Sequence, residues 1–380
     1  MSGWKESVVF ESKGVMLEAK MRGSKRRMKR WLGSNKLKSD SVSKVGARLD
    51  RLDSEAMRLG WNDSSRRERV SLLAEIWSGL RKEEQKWRQK SRVKWLKEGD
   101  RNSKFFHMMA DGRRRRNFIG DLTFNGVVVQ NPKLIKEGVL NFFQDHFKNV
   151  NWQRPKINGL NFNLLSVAEK EGLEMEFKVE EVWETVNGWD GNKAPGLDEL
   201  NLNFINKDWE EIREDFMTFI LEFYDDGSVV RELNTTFITL IPKKKRLTMV
   251  NDFRPIRLVG SMHKILANVL SNRIKRVMKS VGGDFQMAFV EGRQITNSFV
   301  IAEEIINKWK RDGDGGVVIK LDFEKAYDST DPGFLDEVLG CMGFGDRWRS
   351  WISECVSSPL MSILINGSPT PQFGIKRGLR

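Results

Sequence analysis

The sequence predicts an α+β fold whose first third is basic and mostly helical. Apolar residues recur at helical spacing between Val70 and Trp87, which is the pattern of an amphipathic helix. Short runs rich in β-branched and aromatic residues at 235–243 and 253–259 are typical of strands. Charge also divides the chain, because residues 1–120 hold 32 Lys and Arg against 15 Asp and Glu, whereas the remainder holds 33 against 37.

Length and composition exclude several protein classes. The chain has 380 residues, of which 39% are hydrophobic, enough for two or more domains with a real core. No stretch approaches the ~20 apolar residues that span a bilayer, and the N-terminus does not resemble a signal peptide. We therefore expect a protein that is not secreted and has no membrane partner. The two cysteines make no disulfide framework, and the three scattered histidines have no zinc-site spacing.

The basic excess in residues 1–120 indicates a polyanionic partner, most often nucleic acid. A solvated basic surface is the alternative. The run Arg113, Arg114, Arg115, Arg116 is the candidate for phosphate contacts, and nearby aromatic side chains suit base stacking. Because those aromatics fall on helical spacing, a place in the core is the competing interpretation for them. They are Trp87, Trp95, Phe105 and Phe106.

Helices dominate the first predicted elements. Residues 1–64 are weakly patterned, with a short helix predicted at 44–59. A stronger helix begins at Ser65, which forms a capping box with Glu68. The next helix is predicted to end at Gly112, because glycine favours helix termini.

A hairpin and further helices follow. Asn125-Gly126 predicts the turn of a hairpin at 118–130. Asn131-Pro132 opens a helix, since proline suits the first helical position. A polar stretch at 148–165 is typical of a linker, and a second capping box starts at Ser166.

The second half alternates helices with strands. An amphipathic helix is predicted at 208–224, followed by the strands at 235–243 and 253–259. Ser261 is predicted to cap a long helix, and another helix at 295–310 precedes the most informative segment.

The segment KLDFEKAYDS places a carboxylate where a buried strand should end. The apolar run that starts at Val317 predicts a strand through 317–323, with Asp322 near its end. A structural role is the alternative for Asp322. Asp328 lies close to Asp331-Pro332 and also suits a helix cap.

Five blocks in a fixed order carry a family resemblance. They are LIPKKKR at 240–246, NDFRPIRLVGSMHKILANVLSNRI at 251–274, FQMAFVEGRQITNSFVIAEE at 285–304, KLDFEKAYDS at 320–329 and the final block at 347–380. Together they resemble the reverse transcriptase of non-LTR, LINE-type retrotransposons, of the lineage common in plant genomes. The resemblance is close over residues 65–380 and loose over 1–64.

The resemblance implies a right-hand polymerase with fingers and an incomplete palm. On this basis residues 1–64 are a basic, weakly ordered linker, 65–147 a helical N-terminal extension with a hairpin, 148–165 a linker, and 166–380 the fingers and partial palm.

The same resemblance implies roles for five residues. Asp322 matches the first metal-binding aspartate of the palm, where two Mg²⁺ (or Mn²⁺) ions serve nucleotidyl transfer. Phe323 would lend a backbone carbonyl, and Tyr327 matches the aromatic residue that excludes ribonucleotides. Lys243 and Arg254 match basic residues that meet the triphosphate. The alternatives are a packed core residue for Tyr327 and surface cations for Lys243 and Arg254. For Arg254 a pair with Asp252 is a further alternative.

Some residues depart from the family pattern. Gly196-Leu197-Asp198-Glu199 stands where Gly-Pro-Asp-Gly is usual, which puts that turn in doubt. Arg257 replaces a serine, and Asp331-Pro332 replaces Asp-Trp. The two further aspartates of the family's site are expected downstream of Arg380. In the family they belong to a tyrosine/phenylalanine-x-Asp-Asp hairpin. Phe223-Tyr224-Asp225-Asp226 matches these letters but precedes Asp322 and ends a predicted helix, so we interpret it as a chance match.

These features predict an RNA-directed DNA polymerase of a retrotransposon. Its partners would be an RNA template, a DNA primer and deoxynucleotide triphosphates, in a ribonucleoprotein of the nucleus and cytoplasm. The two-ion site would be incomplete, so this chain is expected to be truncated and inactive alone. The alternative is a non-enzymatic relic that binds RNA through its basic N-terminal region.

Overall fold

The computed structural model describes residues 12–36, 41–91, 103–148, 157, 159–189, 195–196, 198–200, 202–231, 233–244, 247–313, 316–323, 326–357 and 359–379. The chain forms two compact units, one mainly Lys20–Gly120 and the other mainly Asp121–Ile241 with Arg246–Arg380. Helices and strands are mixed, in agreement with the predicted α+β class. Within these ranges, no helix has the length and apolar character needed to cross a bilayer.

The first unit is helical. Its helices are α1 (Lys13–Lys36, whose first residues belong to the other unit), α2 (Ser41–Leu59), α3 (Asp63–Ser91) and α4 (Ser103–Asn117). Helix α2 packs against α3, and α3 packs against α4. Helix α2 confirms the helix predicted at 44–59. The stretch 1–64 therefore contains regular helices where a weakly ordered linker was predicted, and the domain boundaries themselves stay predictions.

The start of α3 differs from the prediction. The helix begins at Asp63, so Ser65 lies inside its first turn. The reciprocal hydrogen bonds of the helix cap join Ser65 to Asn62, three residues before it, and not to Glu68. The Ser65 N–H donates to Asn62 Oδ1 (2.8 Å), and the Asn62 N–H donates to Ser65 Oγ (3.1 Å). Asparagine is as good an N-cap as serine, and here it takes that position.

Helix α4 does not end at Gly112, as the sequence predicted, but continues to Asn117. A glycine inside a helix costs only about 1 kcal/mol relative to alanine. The arginines at 114–116 occupy the last turn, where positive charge interacts favourably with the helix dipole. Local propensity at one glycine was therefore too weak to end this helix.

Local turn signals hold in the second unit. Strands β1 (Leu122–Phe124) and β2 (Val127–Val129) pair antiparallel, and Asn125 and Gly126 take the left-handed φ values of 51° and 82° that their turn requires. Helices α5 (Pro132–His146) and α6 (Val167–Glu174) begin as predicted. The Asn131 side chain caps α5, and the capping box of Ser166 and Glu169 forms at α6. These three predictions, the hairpin turn and the two helix starts, are confirmed.

The core of the second unit is aromatic. Its other helices are α7 (Val179–Asn187), α8 (Leu202–Lys207), α9 (Trp209–Asp226), α10 (Ser261–Val281), α11 (Ile295–Asp312), α12 (Ala326–Ser329), α13 (Pro332–Cys341) and α14 (Asp346–Ser357). Trp348 and Trp351 of α14 are fully buried, and the Trp351 ring lies 5.8 Å from that of Phe223 in α9. The predicted helices at 208–224 and 295–310 are confirmed by α9 and α11.

A five-stranded sheet supports this core. Its strands are β3 (Thr235–Pro242), β4 (Phe253–Val259), β5 (Leu360–Ile365), β6 (Ser368–Pro369) and β7 (Phe373–Gly374). The order is β4-β3-β5-β6, and β7 also pairs with β5. Strands β3 and β5 are parallel, with Thr235 opposite Leu360, whereas β6 and β7 run antiparallel to β5. Strands β3 and β4 confirm the two strands predicted from composition.

The strand predicted at 317–323 is wrong in this structure. Residues 316–323 have no strand conformation, and Val317, Ile319 and Phe323 are each at least 76% exposed. A strand is stabilised by hydrogen bonds to a neighbour and by burial of a face. Among the described residues, the sheet places no strand beside this segment. Its apolar composition alone therefore does not make it a strand.

Candidate functional site

Asp322 lies on the exposed segment between α11 and α12. Its carboxylate faces solvent, as a group that meets a cation or substrate must. In the part of the chain that the structure describes, no group of three or more His, Cys, Asp or Glu side chains is arranged to hold a metal ion. Among the described residues, Asp322 is therefore an exposed carboxylate that belongs to no such group.

The two residues predicted beside the nucleotide are also accessible. Phe323 follows Asp322 directly, and its ring is exposed. Tyr327 lies in the short helix α12, and 66% of its surface is exposed. A packed core tyrosine, the competing interpretation, is therefore wrong for Tyr327 in this structure.

The backbone around Tyr327 is held by the last described residues. The Leu379 N–H donates to the Tyr327 carbonyl (2.8 Å), and the Gly378 N–H donates to the Thr330 carbonyl (2.7 Å). Arg377 adds a bond from its Nε to the Ser329 carbonyl (3.2 Å). These hydrogen bonds hold backbone carbonyls in and just after the helix that carries Tyr327, and the Tyr327 side chain stays exposed.

A charged pair holds the same helix from the sheet side. Arg257 of β4 donates from Nη2 to Asp328 Oδ1 at 2.8 Å, and both side chains are largely buried. Burial lowers the pKa of Arg257, and the negative charge of Asp328 opposes that shift. An arginine remains protonated in proteins, so this is an ion pair. Sequence reasoning missed it, because the two residues are far apart in the chain.

The two predicted triphosphate contacts are exposed. Arg254 lies on β4, three residues before Arg257, and its side chain reaches solvent. Lys243 follows the end of β3 and is exposed as well. Asp252, the alternative partner for Arg254, accepts hydrogen bonds from the amides of Thr248 and Met249. The roles of Arg254 and Lys243 stay predictions.

The arginine run ends α4. Arg114, Arg115 and Arg116 are exposed, and Arg113 is half-buried. Consecutive residues point in directions about 100° apart around a helix, so the four do not share one face. They present positive charge around a helix end rather than as a stripe.

The neighbouring aromatics divide between core and surface. Phe106 is buried, and the Phe105 ring lies 5.9 Å from it. The half-buried Trp87 stacks on His107, with ring centroids 3.3 Å apart. Trp95 lies outside the described residues. The core interpretation is thus confirmed for Phe106.

The Tyr224-Asp225-Asp226 sequence ends helix α9, as predicted. Both aspartates are exposed, and Gly227 follows in the left-handed conformation with its N–H bonded to the Phe223 carbonyl. Tyr224 packs against Trp351. This placement at a helix terminus agrees with a chance match of letters.

A second connection missed from the sequence joins the 196–199 turn to α10. The prediction that Ser261 caps this helix is wrong, because Ser261 is the first helical residue. The Asp198 carboxylate does so instead, accepting from the Ser261 N–H (2.6 Å) and from the Ser261 hydroxyl. The turn itself persists, with the Glu199 N–H donating to the Gly196 carbonyl (3.1 Å). The turn therefore forms even without the proline and the second glycine that are usual at this place in the family.

Comparison with known proteins agrees with the resemblance. Residues 241–380 match the family model described as reverse transcriptase (RNA-dependent DNA polymerase). A transposon TX1 uncharacterized 149 kDa protein from Xenopus laevis is 28% identical over 77% of this chain. A retrovirus-related Pol polyprotein from the type-1 retrotransposable element R2 of Popillia japonica is 24% identical over 53% of the chain. The chain spans 22% and 27% of the lengths of these relatives.

The matched region contains most of the predicted site. It begins just before Lys243 and includes Arg254, Asp322 and Tyr327. The similarity to the TX1 protein covers more of the chain than this region does. Residues 241–380 thus match a reverse transcriptase domain, within a longer similarity to proteins of transposable elements.

Proposed function

We propose that this chain contributes the fingers and the first part of the palm to the RNA-directed DNA polymerase of a LINE-type retrotransposon. The observation that supports this most is the reverse transcriptase match over residues 241–380, because it includes the exposed Asp322 segment. Substrates would be an RNA template, a DNA primer and deoxynucleotide triphosphates. The plant lineage and a place in a nuclear and cytoplasmic ribonucleoprotein belong to the same proposal.

Asp322 would be a metal ligand in this polymerase. Mg²⁺ and Mn²⁺ prefer hard oxygen ligands, which an exposed carboxylate supplies. The described residues alone do not fit a two-ion site, since they form no cluster of three or more side chains that could hold a metal ion. We infer that the other ligands come from residues outside the described set. The place of Asp225 and Asp226 at the end of α9 supports the interpretation that they have no part in this site.

The remaining site residues would recognise the nucleotide. Arg254 and Lys243 would bind the triphosphate through charge-assisted hydrogen bonds, for which both have exposed cationic groups. The ring of Tyr327 would contact the sugar and clash with a 2′-hydroxyl. A side chain that excludes one substrate by contact must project from a fixed backbone, and the bonds from Gly378 and Leu379 provide that support.

The basic N-terminal unit would bind the RNA template or the element's transcript. Residues 1–120 hold 32 basic against 15 acidic side chains, and the exposed Arg114–Arg116 lie at a helix end. Phosphate contacts of this kind give sequence-independent affinity that falls with salt. The same charge would support the alternative of an RNA-binding relic, which predicts binding without synthesis.

Incorporation of labelled deoxynucleotides tests the proposal. A longer protein that contains residues 1–380 is incubated with a primed RNA template, all four deoxynucleotides and Mg²⁺ or Mn²⁺. We expect DNA of template-dictated sequence, and loss of the product when the template is digested before the reaction. Binding of the same RNA without any synthesis, in every protein that contains this chain, would favour the relic.

A further inference from the structure

We propose that Arg257 is a positioning residue for nucleotide selection: through its ion pair with Asp328, it holds the helix from which Tyr327 projects. This inference rests on the proposed polymerase function, in which Tyr327 contacts the sugar. Arg257 itself would touch neither nucleotide nor metal. Its effect would pass through the backbone of α12.

The ion pair is well suited to fix a backbone position. The Nη2–Oδ1 distance is 2.8 Å, and the side chains of Arg257 and Asp328 are only 15% and 18% exposed. The Arg257 guanidinium also lies 5.6 Å from the centre of the Phe147 ring, within cation–π range. A pair that is shielded from water is weakened little by salt, so it holds its geometry better than a surface pair.

The 377–379 segment also holds α12. Two backbone bonds and one arginine side-chain bond join this segment to the carbonyls of residues 327, 329 and 330. Gly378 has φ +86°, and a Cβ atom there would come within 2.8 Å of the Asp328 carbonyl oxygen. Close backbone contact therefore supports the helix together with the Arg257 pair.

This arrangement supports the backbone of α12 and leaves the Tyr327 side chain exposed. Tyr327 directly precedes Asp328, so a shift of Asp328 moves the Cα atom of Tyr327 with it. Its ring is 66% exposed and has no packed core around it to restore its position. Its direction is therefore set by the backbone supports rather than by side-chain packing.

Arg257 is a departure from the resemblance, which has serine at this position. A serine side chain is too short to reach across to Asp328 from β4. The support from the sheet side is thus a property of this chain, and replacing Arg257 by serine removes it without introducing an unusual residue.

The preference for deoxynucleotides over ribonucleotides distinguishes a positioning role of Arg257 from a general effect of the substitution on protein stability. It is measured as the ratio of kcat/KM for a deoxynucleotide to that for the matching ribonucleotide, in a primer-extending protein that contains residues 1–380. We expect Arg257→Ser to lower this ratio by roughly tenfold. Arg257→Lys, which keeps a cation within reach of Asp328, should restore most of it. Tyr327→Ala sets the value at which discrimination is lost.

Arg349 offers a matched control in the same unit. It pairs with Asp336 at 2.6 Å, with side chains 27% and 40% exposed, between α14 and α13. Arg349→Ser also removes an ion pair, and we expect it to lower Tm while leaving the ratio within about twofold. Equal ratios in Arg257→Ser and Arg349→Ser would overturn the positioning role.

Hydrogen exchange tests the same inference without catalysis. In the 380-residue chain, Arg257→Ser should speed exchange in a peptide that covers residues 326–331 and leave α9 unchanged. Unchanged exchange in 326–331 would overturn the inference whatever the enzyme does. If no protein containing the chain extends a primer, the proposed polymerase function fails, while faster exchange would still show that Arg257 holds the Tyr327 helix.

Discussion

Asp198 and Ser261 are joined by two hydrogen bonds, since one carboxylate oxygen of Asp198 accepts from both the N–H and the hydroxyl of Ser261. The contact connects the 196–199 turn with the start of α10, across 63 residues of sequence. A carboxylate at this place satisfies a free N–H and interacts favourably with the helix dipole. The turn and the helix are therefore one structural feature of the second unit.

Removing this cap should destabilise the second unit. We expect Asp198→Ala to lower the free energy of unfolding by about 1 kcal/mol, the usual effect of losing a helix cap. Urea unfolding followed by circular dichroism measures the change. Asp225→Ala, at the exposed end of α9, serves as the control and should have little effect. Equal stability of the Asp198→Ala and Asp225→Ala proteins would contradict the capping role.

We expect glycine at position 199 to stabilise the protein relative to Glu199. It has φ +55°, a left-handed conformation that costs a residue with a side chain about 1 kcal/mol. Glu199→Gly should therefore stabilise the protein, by up to about that amount because glycine also gains freedom in the unfolded chain. Glu214→Gly, an exposed position inside α9, should destabilise by about 1 kcal/mol. Thermal unfolding measures both changes. If Glu199→Gly and Glu214→Gly shift Tm in the same direction, the left-handed conformation of Glu199 is contradicted.

Arg273 is a buried structural arginine. Its guanidinium pairs with both carboxylate oxygens of Glu181 at 2.8 Å, and it also donates to the Leu173 carbonyl (2.9 Å) and lies over the Phe177 ring. Arg273→Met leaves the Glu181 charge without its partner, so we expect a loss of about 3 kcal/mol of stability. Adding Glu181→Gln to Arg273→Met should recover part of this loss, which a double-mutant cycle measures. Additive effects of the two changes would mean that the pair does not act as a unit.

The arginines at the end of α4 should contribute to RNA affinity. If each of Arg114, Arg115 and Arg116 neutralises one phosphate of single-stranded RNA, the salt slope of log K should decrease in magnitude by about 2 when all three become glutamine. Titration of labelled RNA at several salt concentrations gives the slope. The matched control replaces the three cations at the end of α11, Lys308, Lys310 and Arg311, with the same change in net charge. Equal slopes for the two triple variants would show that only net charge matters.

The 380-residue chain by itself should bind RNA without copying it. One carboxylate cannot hold two divalent ions against their hydration. Among the described residues, no cluster of three or more His, Cys, Asp or Glu side chains is arranged to hold a metal ion. Primer extension on an RNA template tests this, with gel-shift binding of the same RNA as the positive control. Template-dependent synthesis by the purified chain would contradict the prediction.

Local sequence signals predicted much of this fold. Asn125-Gly126, Asn131-Pro132 and the Ser166–Glu169 box act within four residues, and each produced the expected turn or cap. The same kind of signal failed at the start of α3, where both Asn62 and Ser65 are suitable N-cap residues and Asn62 takes that position.

Contacts between distant residues could not be predicted. The pairs Asp198–Ser261 and Arg257–Asp328 depend on how β4, α10 and α12 come together, and neither pair has a local pattern. The strand expected at 317–323 failed for the same physical reason, since an apolar run becomes a strand only beside another strand. The family resemblance nevertheless placed the candidate site in the region that matches reverse transcriptases.

Substitution of Asp322 tests the central claim most directly. The measurement is the primer-extension rate on an RNA template, with Mg²⁺ and with Mn²⁺, for a protein that contains residues 1–380. Asp322→Asn keeps the size of the side chain but removes its charge, and we predict a loss of a thousandfold or more, about 4 kcal/mol in the barrier, with RNA binding largely intact. The double change Asp225→Asn with Asp226→Asn should stay within a few-fold of the parent. Full extension by Asp322→Asn, or a thousandfold loss in the double variant, would contradict the account.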